Sequence, residues 1–330
     1  MINKSFFRYL YSNQIIVALA VIAVAWILFE LIGVVIAGFI AYIIMAAISP
    51  VVDVLAKRKI PKALGAAMVY LLIVVVLVLL IFPLVPFFSN QTMQLVKGLP
   101  LYIHNATELL GINASAKELQ DFLSSQLGAI GTNALQVTGK VFGGIFTVLT
   151  IIVLSFYLLL DHTRVQKSIA SLFSPSVRGH ARDTIEKVED KLGAWLRGQI
   201  LLSFVVGFVT WVGLTLIGVE YALPLALLAG LLEIVPTIGP IIAAIPAMIV
   251  ALSISPTVAV LVAILYAIIQ VLENNFLVPR IMQRAVGLHP IIVILGIIIG
   301  GKLLGVLGAL LAVPFISLIV VITREINKSE

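Results

Sequence analysis

From Gln199 to Ile322 the chain carries only six charged side chains: Glu220, Glu233, Glu273, Arg280, Arg284 and Lys302. So little charge cannot clothe a water-facing surface, because soluble domains carry about a quarter charged residues. The whole chain repeats the pattern, with 62% of its 330 residues hydrophobic and 11% charged. This composition excludes a soluble enzyme, and it is the opposite of what a disordered chain needs. It predicts an all-α polytopic integral membrane protein, in which each crossing takes about 20 apolar residues.

About eight membrane-embedded segments can be traced, the last of them broken. Residues 1–88 hold three predicted transmembrane helices: Ile15–Phe29, Leu31–Ile48 and Leu64–Phe88, the last ended by Pro83 and Pro86. The first resembles a signal peptide behind Lys4 and Arg8 but runs straight into further apolar sequence, so it is read as a retained helix. Residues 89–138 are polar enough to leave the bilayer and carry no positive excess. Within them Leu119, Phe122, Leu123, Leu127 and Ile130 recur at helical spacing, which predicts an amphipathic helix on the membrane, a neighbouring subunit or its own bundle. Three Asn-x-Ser/Thr triplets at Asn90, Asn105 and Asn113 are no more than chance supplies. Residues 139–198 hold the fourth span and a segment, 161–198, with seven bases against five acids. Its Asp183–Lys191 stretch is a mixed-charge, solvated helix face. Lys57, Arg58, Lys59 and Lys62 make the 49–62 loop basic too. The excess of Lys and Arg places the amino terminus, 49–62 and 161–198 in the cytoplasm, and 89–138 outside.

Residues 199–330 form the predicted transport core. Two stretches there are too long for one crossing and are interrupted: Ala222–Leu252 at Pro236-Thr237-Ile-Gly239-Pro240, and Ile291–Ile322 at Gly300-Gly301-Lys302. Proline lacks an amide donor and glycine loosens a helix, so both breaks release backbone groups. Irregular backbone at membrane depth is tolerated only inside protein or beside a watery cavity. A pair of such breaks points to a transporter's binding site. Two topologies fit. In the preferred one, both stretches are re-entrant hairpins whose tips approach near the midplane, so that a span-plus-hairpin unit (199–252) recurs inverted (257–322) and Arg280 and Arg284 are cytoplasmic. In the other, each stretch is one kinked span and those arginines lie outside.

Depth selects the candidate residues. Glu233 lies three positions before Pro236, and a carboxylate there is costly unless it faces a cavity or partner. Glu273-Asn274-Asn275 offers a carboxylate and two amides as oxygen ligands for a proton, a sodium ion or a hydroxylated solute. Lys302 at the second break is placed to pair with Glu233 or to meet an anionic or polar ligand. Against these stand the plainer readings of interface carboxylates and a snorkelling lysine. Gly301, Gly305 and Gly308 read as a tight packing surface on one helix. His104, His162, His180 and His289 show no metal-ligand spacing, and there is no cysteine. Phosphate-binding glycine loops are absent, so no nucleotide or other cofactor is expected and movement is gradient-driven or passive. No nucleic-acid partner is expected, since the bases serve orientation.

Glu233-Ile-Val-Pro-Thr-Ile-Gly-Pro240, Glu273-Asn-Asn-Phe-Leu-Val-Pro-Arg280, Gly287-Leu-His-Pro290, Gly300-Gly301, Gly305, Gly308 and Ala312-Val-Pro314 together resemble the autoinducer-2 exporter family of prokaryotic permeases. The resemblance covers nearly the whole chain. It implies a bacterial or archaeal inner membrane, homo-oligomers, and either export of a small polar signal or exchange of sodium or lithium for protons. A non-transporting scaffold is the reading from another class. Buried carboxylates beside broken helices favour transport.

Overall fold

A computed structural model of the chain describes residues 30–76, 134–236, 238–282 and 290–326, with positions 26 and 78. The first predicted span, most of the 89–138 segment, Thr237, Arg284 and the Gly287-Leu-His motif lie outside the described residues.

The described chain is helical throughout. In order it forms α1 (Ile32–Lys57), α2 (Lys62–Val76), α3 (Ala134–Leu160), α4 (His162–Ser171) and α5 (Arg178–Ile217). Then come α6 (Ala222–Leu232), α7 (Ile238–Ile254) and α8 (Pro256–Leu272), which passes through a π-helical turn at Glu273–Leu277 into the short α9 (Val278–Ile281). The last helix, α10 (Pro290–Ile326), is folded at Gly305. Four of these helices, or five if bent α3–α4 counts as one span, are long and apolar enough to cross a membrane. Their outer faces expose large apolar side chains such as Phe204, Leu216 and Val306, as a lipid-facing surface does.

Helix α5 is the organising rod. Its charged first half and its apolar second half form one continuous 40-residue helix, about 60 Å long. Lipid tails are as apolar as leucine, so burial alone does not hold helices together in a bilayer; close backbone approach does. Accordingly Gly207 of α5 meets Gly230 of α6, and Gly193 meets the Ala46 carbonyl of α1. Gly198 lies against Met282 and Gly213 against Leu265, so α8–α9 runs antiparallel to α5. Ser255 starts α8 cleanly: its hydroxyl accepts from the Val258 amide at 3.2 Å, and Pro256 occupies the first turn.

Both interrupted stretches fold back on themselves. Leu225, early in α6, shares a core with Val250 and Ala251, late in α7, and with Leu214, Ala259 and Val262. Unbroken, residues 225 and 250 would be separated by nearly 40 Å. In α10, Gly300 packs on the Gly308 carbonyl, Gly301 on Ala309 and Gly296 on Ala312 and Ile316, the pattern of two antiparallel arms. A long helix followed by a hairpin therefore occurs twice, with the two long helices antiparallel. Met282 beside Gly198 puts the end of α9 at the same end of the molecule as Arg197, as the hairpin topology requires.

Three details differ from the sequence expectation. The helix expected to end at Ile48 continues through Pro50 to Lys57. The second break is at Gly305, with φ 62° and ψ −145°, not at Gly300-Gly301-Lys302. A side chain rarely adopts that backbone, so the turn goes to the glycine that can make it. Gly301 and Gly308 consequently sit on different arms rather than on one helix. Finally, the hairpin tips do not converge: α10 packs on α5 and α1, with Phe39 and Phe315 edge to face at 6.4 Å, while α6–α7 packs on α5 and α8.

Candidate functional site

The turn between α6 and α7 is built around Glu233. Pro236 cannot continue α6, and the Gly239 amide closes the turn on the Val235 carbonyl at 3.0 Å. A side chain on Gly239 would collide with the backbone of Leu232, so only glycine lets α7 start so close to the end of α6. Pro240 is buried behind it in the first turn of α7. Glu233 is thereby held fully buried, at 0% exposure. Gln199 of α5, itself 1% exposed, donates Nε2 to the Glu233 carbonyl oxygen at 2.7 Å.

Glu273 reaches the same place from α8. The π turn inserts one extra residue into the helix, a feature frequent at functional sites. It turns Glu273 inward at 2% exposure and leaves Asn274 and Asn275 on the outer surface. The Gly198–Met282 and Gly213–Leu265 contacts place Glu273 opposite Val206 and Gly207 of α5. Its carboxylate accepts from Gln270 Nε2 at 3.4 Å and lies within electrostatic reach of Glu233. With one proton between them the two carboxyls hydrogen-bond each other, while the Gln199 Oε1 and the Ser203 hydroxyl are buried without a hydrogen-bond partner. Buried polar groups are normally satisfied. A site with two neighbouring carboxyls and these free oxygens suits a proton, a cation or hydroxyl groups of a solute.

The structure brings Glu233, Pro236, Gly239, Pro240 and Glu273 together. It does not bring Asn274, Asn275, Gly300, Gly301 or Lys302 to them. Asn275 spends its amide on the Val271 carbonyl at 2.9 Å. Gly300 and Gly301 are packing positions inside the second hairpin. Lys302 is exposed, and the pairing with Glu233 is not formed, because the Gly305 turn carries residues 302–307 outward. Gln199 is the addition, and Ser203 lies one turn further along the same face of α5 with its hydroxyl buried.

A second polar centre is fully satisfied. Glu189, near the start of α5, accepts from Tyr42 Oη at 2.7 Å and from Gln166 Nε2 at 2.8 Å, with His162 Nε2 also at 2.8 Å. It ties α1, α4 and α5 together, and helix α4 leaves α3 at 80°. Beside it, Lys187 pairs with Glu325 at the end of α10.

Paired helix-plus-hairpin units with carboxyls buried at a helix break are the build of a multi-pass membrane transporter. The chain belongs to the family described as AI-2E family transporters, whose sequence profile matches residues 15–328. It is 28% identical to YueF of Bacillus subtilis (strain 168) over 293 residues, 83% of this chain and 79% of that one. It is 27% identical to PerM of Escherichia coli (strain K12) over 275 residues, 77% and 76% of the two chains. Those names describe a transport protein and a permease without a substrate. A third relative, AI-2 transport protein TqsA of Escherichia coli (strain K12), is 27% identical over 297 residues, 86% and 83% of the two chains.

Proposed function

We propose that this protein is a secondary transporter that exports a small polar solute of the autoinducer-2 kind across the bacterial inner membrane, driven by an ion gradient, with its amino terminus in the cytoplasm. The observation that carries this reading is the Glu233–Glu273 pair: two adjacent carboxyls buried at a helix break, close enough to share one proton. Two unneutralised charges are too costly at depth. The pair therefore changes its proton content when a solute or ion arrives, which links a gradient to cargo. The name of TqsA supports autoinducer-2 as the kind of cargo.

A sodium or lithium for proton exchange at the same carboxyls is the second reading. It is favoured by the oxygen ligands at hand, since the buried Gln199 Oε1 and Ser203 hydroxyl on α5 add hard oxygen donors to the two carboxyls. The lipid-facing apolar surface also provides for homo-oligomers.

Proteoliposome flux tests both readings. Labelled autoinducer-2 and sodium are followed against an imposed proton gradient in vesicles holding wild type, Glu233→Gln or Glu273→Gln. Either substitution is expected to slow the coupled flux at least about tenfold, equivalent to about 1.4 kcal/mol. Movement of autoinducer-2 alone selects the first reading, and movement of sodium alone the second. If neither moves and the substitutions change nothing in cells, the chain is a scaffold and transport is refuted.

A further inference from the structure

A cavity of about 750 Å³ lies away from the carboxyl pair, at the junction of α1, α3, α4, α5 and α10. Its walls are almost wholly apolar, with Phe39, Leu158, Ile169, Phe173 and Ile185 among them. Its lining residues on α5 run from His180 to Leu192, about 18 Å at the helical rise. Its volume is that of a ligand pocket, and its length is that of an extended hydrocarbon chain rather than a compact solute.

Helix α4 forms one wall through Val165 and Ile169. It turns through 80° where α3 ends, the attitude of an amphipathic helix lying in the membrane interface. The Glu189 centre pins its first turn through His162 and Gln166, so the wall is anchored independently of anything inside the cavity. Two exposed bases flank the far end of the cavity, just outside its lining. Val177 and Phe173 line it, and Arg178 next to them is exposed while donating to the Phe173 carbonyl at 3.2 Å. Arg182 is exposed one turn further on. Glu325, the charged side chain in the lining, is paired with Lys187, and Asp183 is exposed beside Arg182.

We propose that this cavity binds one acyl chain of an anionic phospholipid, with the headgroup at Arg178 and Arg182. Apolar walls account for the chain, since each buried methylene contributes about 0.8 kcal/mol. The two arginines account for the anionic headgroup. The site is distinct from the carboxyl pair and does not depend on what is transported.

Trp195 gives the test. It is 2% exposed and packs with Leu192 at the inner end of the cavity. With Trp26 and Trp211 replaced by Phe, it is the sole tryptophan, and its burial shields it from surrounding bulk lipid. The full chain is reconstituted with phosphatidylglycerol or phosphatidylcholine brominated near the end of the acyl chain. Brominated phosphatidylglycerol is expected to quench Trp195, and phosphatidylcholine to quench it much less. Ala181→Phe, which fills the cavity, should abolish the quenching, and Arg178→Glu should remove the preference for phosphatidylglycerol. Circular dichroism of each variant verifies that it is folded, and native mass spectrometry of wild type should show one retained phosphatidylglycerol. No quenching in wild type, equal quenching in folded Ala181→Phe, or no preference between the two lipids would each overturn the proposal.

Discussion

If α10 is a hairpin folded at Gly305, cysteines at positions 301 and 309 must be able to join. A β-carbon at Gly301 would lie 3.8 Å from the Ala309 β-carbon, inside the 3.5–4.5 Å range typical of a disulfide. In an unbroken helix the same two residues would be about 12 Å apart along the axis, far beyond reach. Gly301 has no neighbour nearer than this, so a cysteine is accommodated there. The chain has no native cysteine, so the double variant Gly301→Cys/Ala309→Cys starts from a clean background. The purified protein is treated with copper phenanthroline, denatured, and reacted with a maleimide-polyethylene glycol that retards each free thiol on a gel. The oxidised double variant should show no adduct, and two after reduction, with the protein remaining monomeric on the gel. Phe204→Cys/Val212→Cys, also eight residues apart but within unbroken α5, should keep both thiols free. Two free thiols in the oxidised, monodisperse 301/309 variant would refute the hairpin and restore a single kinked span.

Two further outcomes test the packing. Gly300→Val drives a side chain into the Gly308 backbone, which cannot move aside as a flexible side chain would; a loss of at least about 1–3 kcal/mol is expected, seen as a lower thermal midpoint in detergent, and an unchanged midpoint would contradict the close approach of the arms. Gln166→Met removes a hydrogen bond from α4 to the Glu189 carboxylate, worth about 1.5–3 kcal/mol for a charged acceptor. Amide exchange in α4 should accelerate while α10 is unaffected, and equal protection of α4 in both proteins would contradict the anchoring role of Glu189.

Class and candidate carboxyls were legible in the chain itself. Apolar runs of crossing length between basic segments define a multi-pass membrane protein, because the bilayer leaves a chain few options. Glu233 and Glu273 stood out because an ionisable group at depth is costly wherever the neighbouring helices are placed. Proline and glycine marked where the long stretches break, since backbone restriction is local.

Tertiary structure decided which glycine turns. Gly300, Gly301 and Gly305 offer the same freedom locally, and pairing of the arms through Gly300 and Gly308 leaves the positive-φ position to Gly305. It likewise separated Lys302 and the two asparagines from the carboxyls and brought Gln199 to them, across 34 positions of chain. Local chemistry determines that a carboxyl is expensive to bury. Which groups share the expense depends on helices that meet only once the chain has folded.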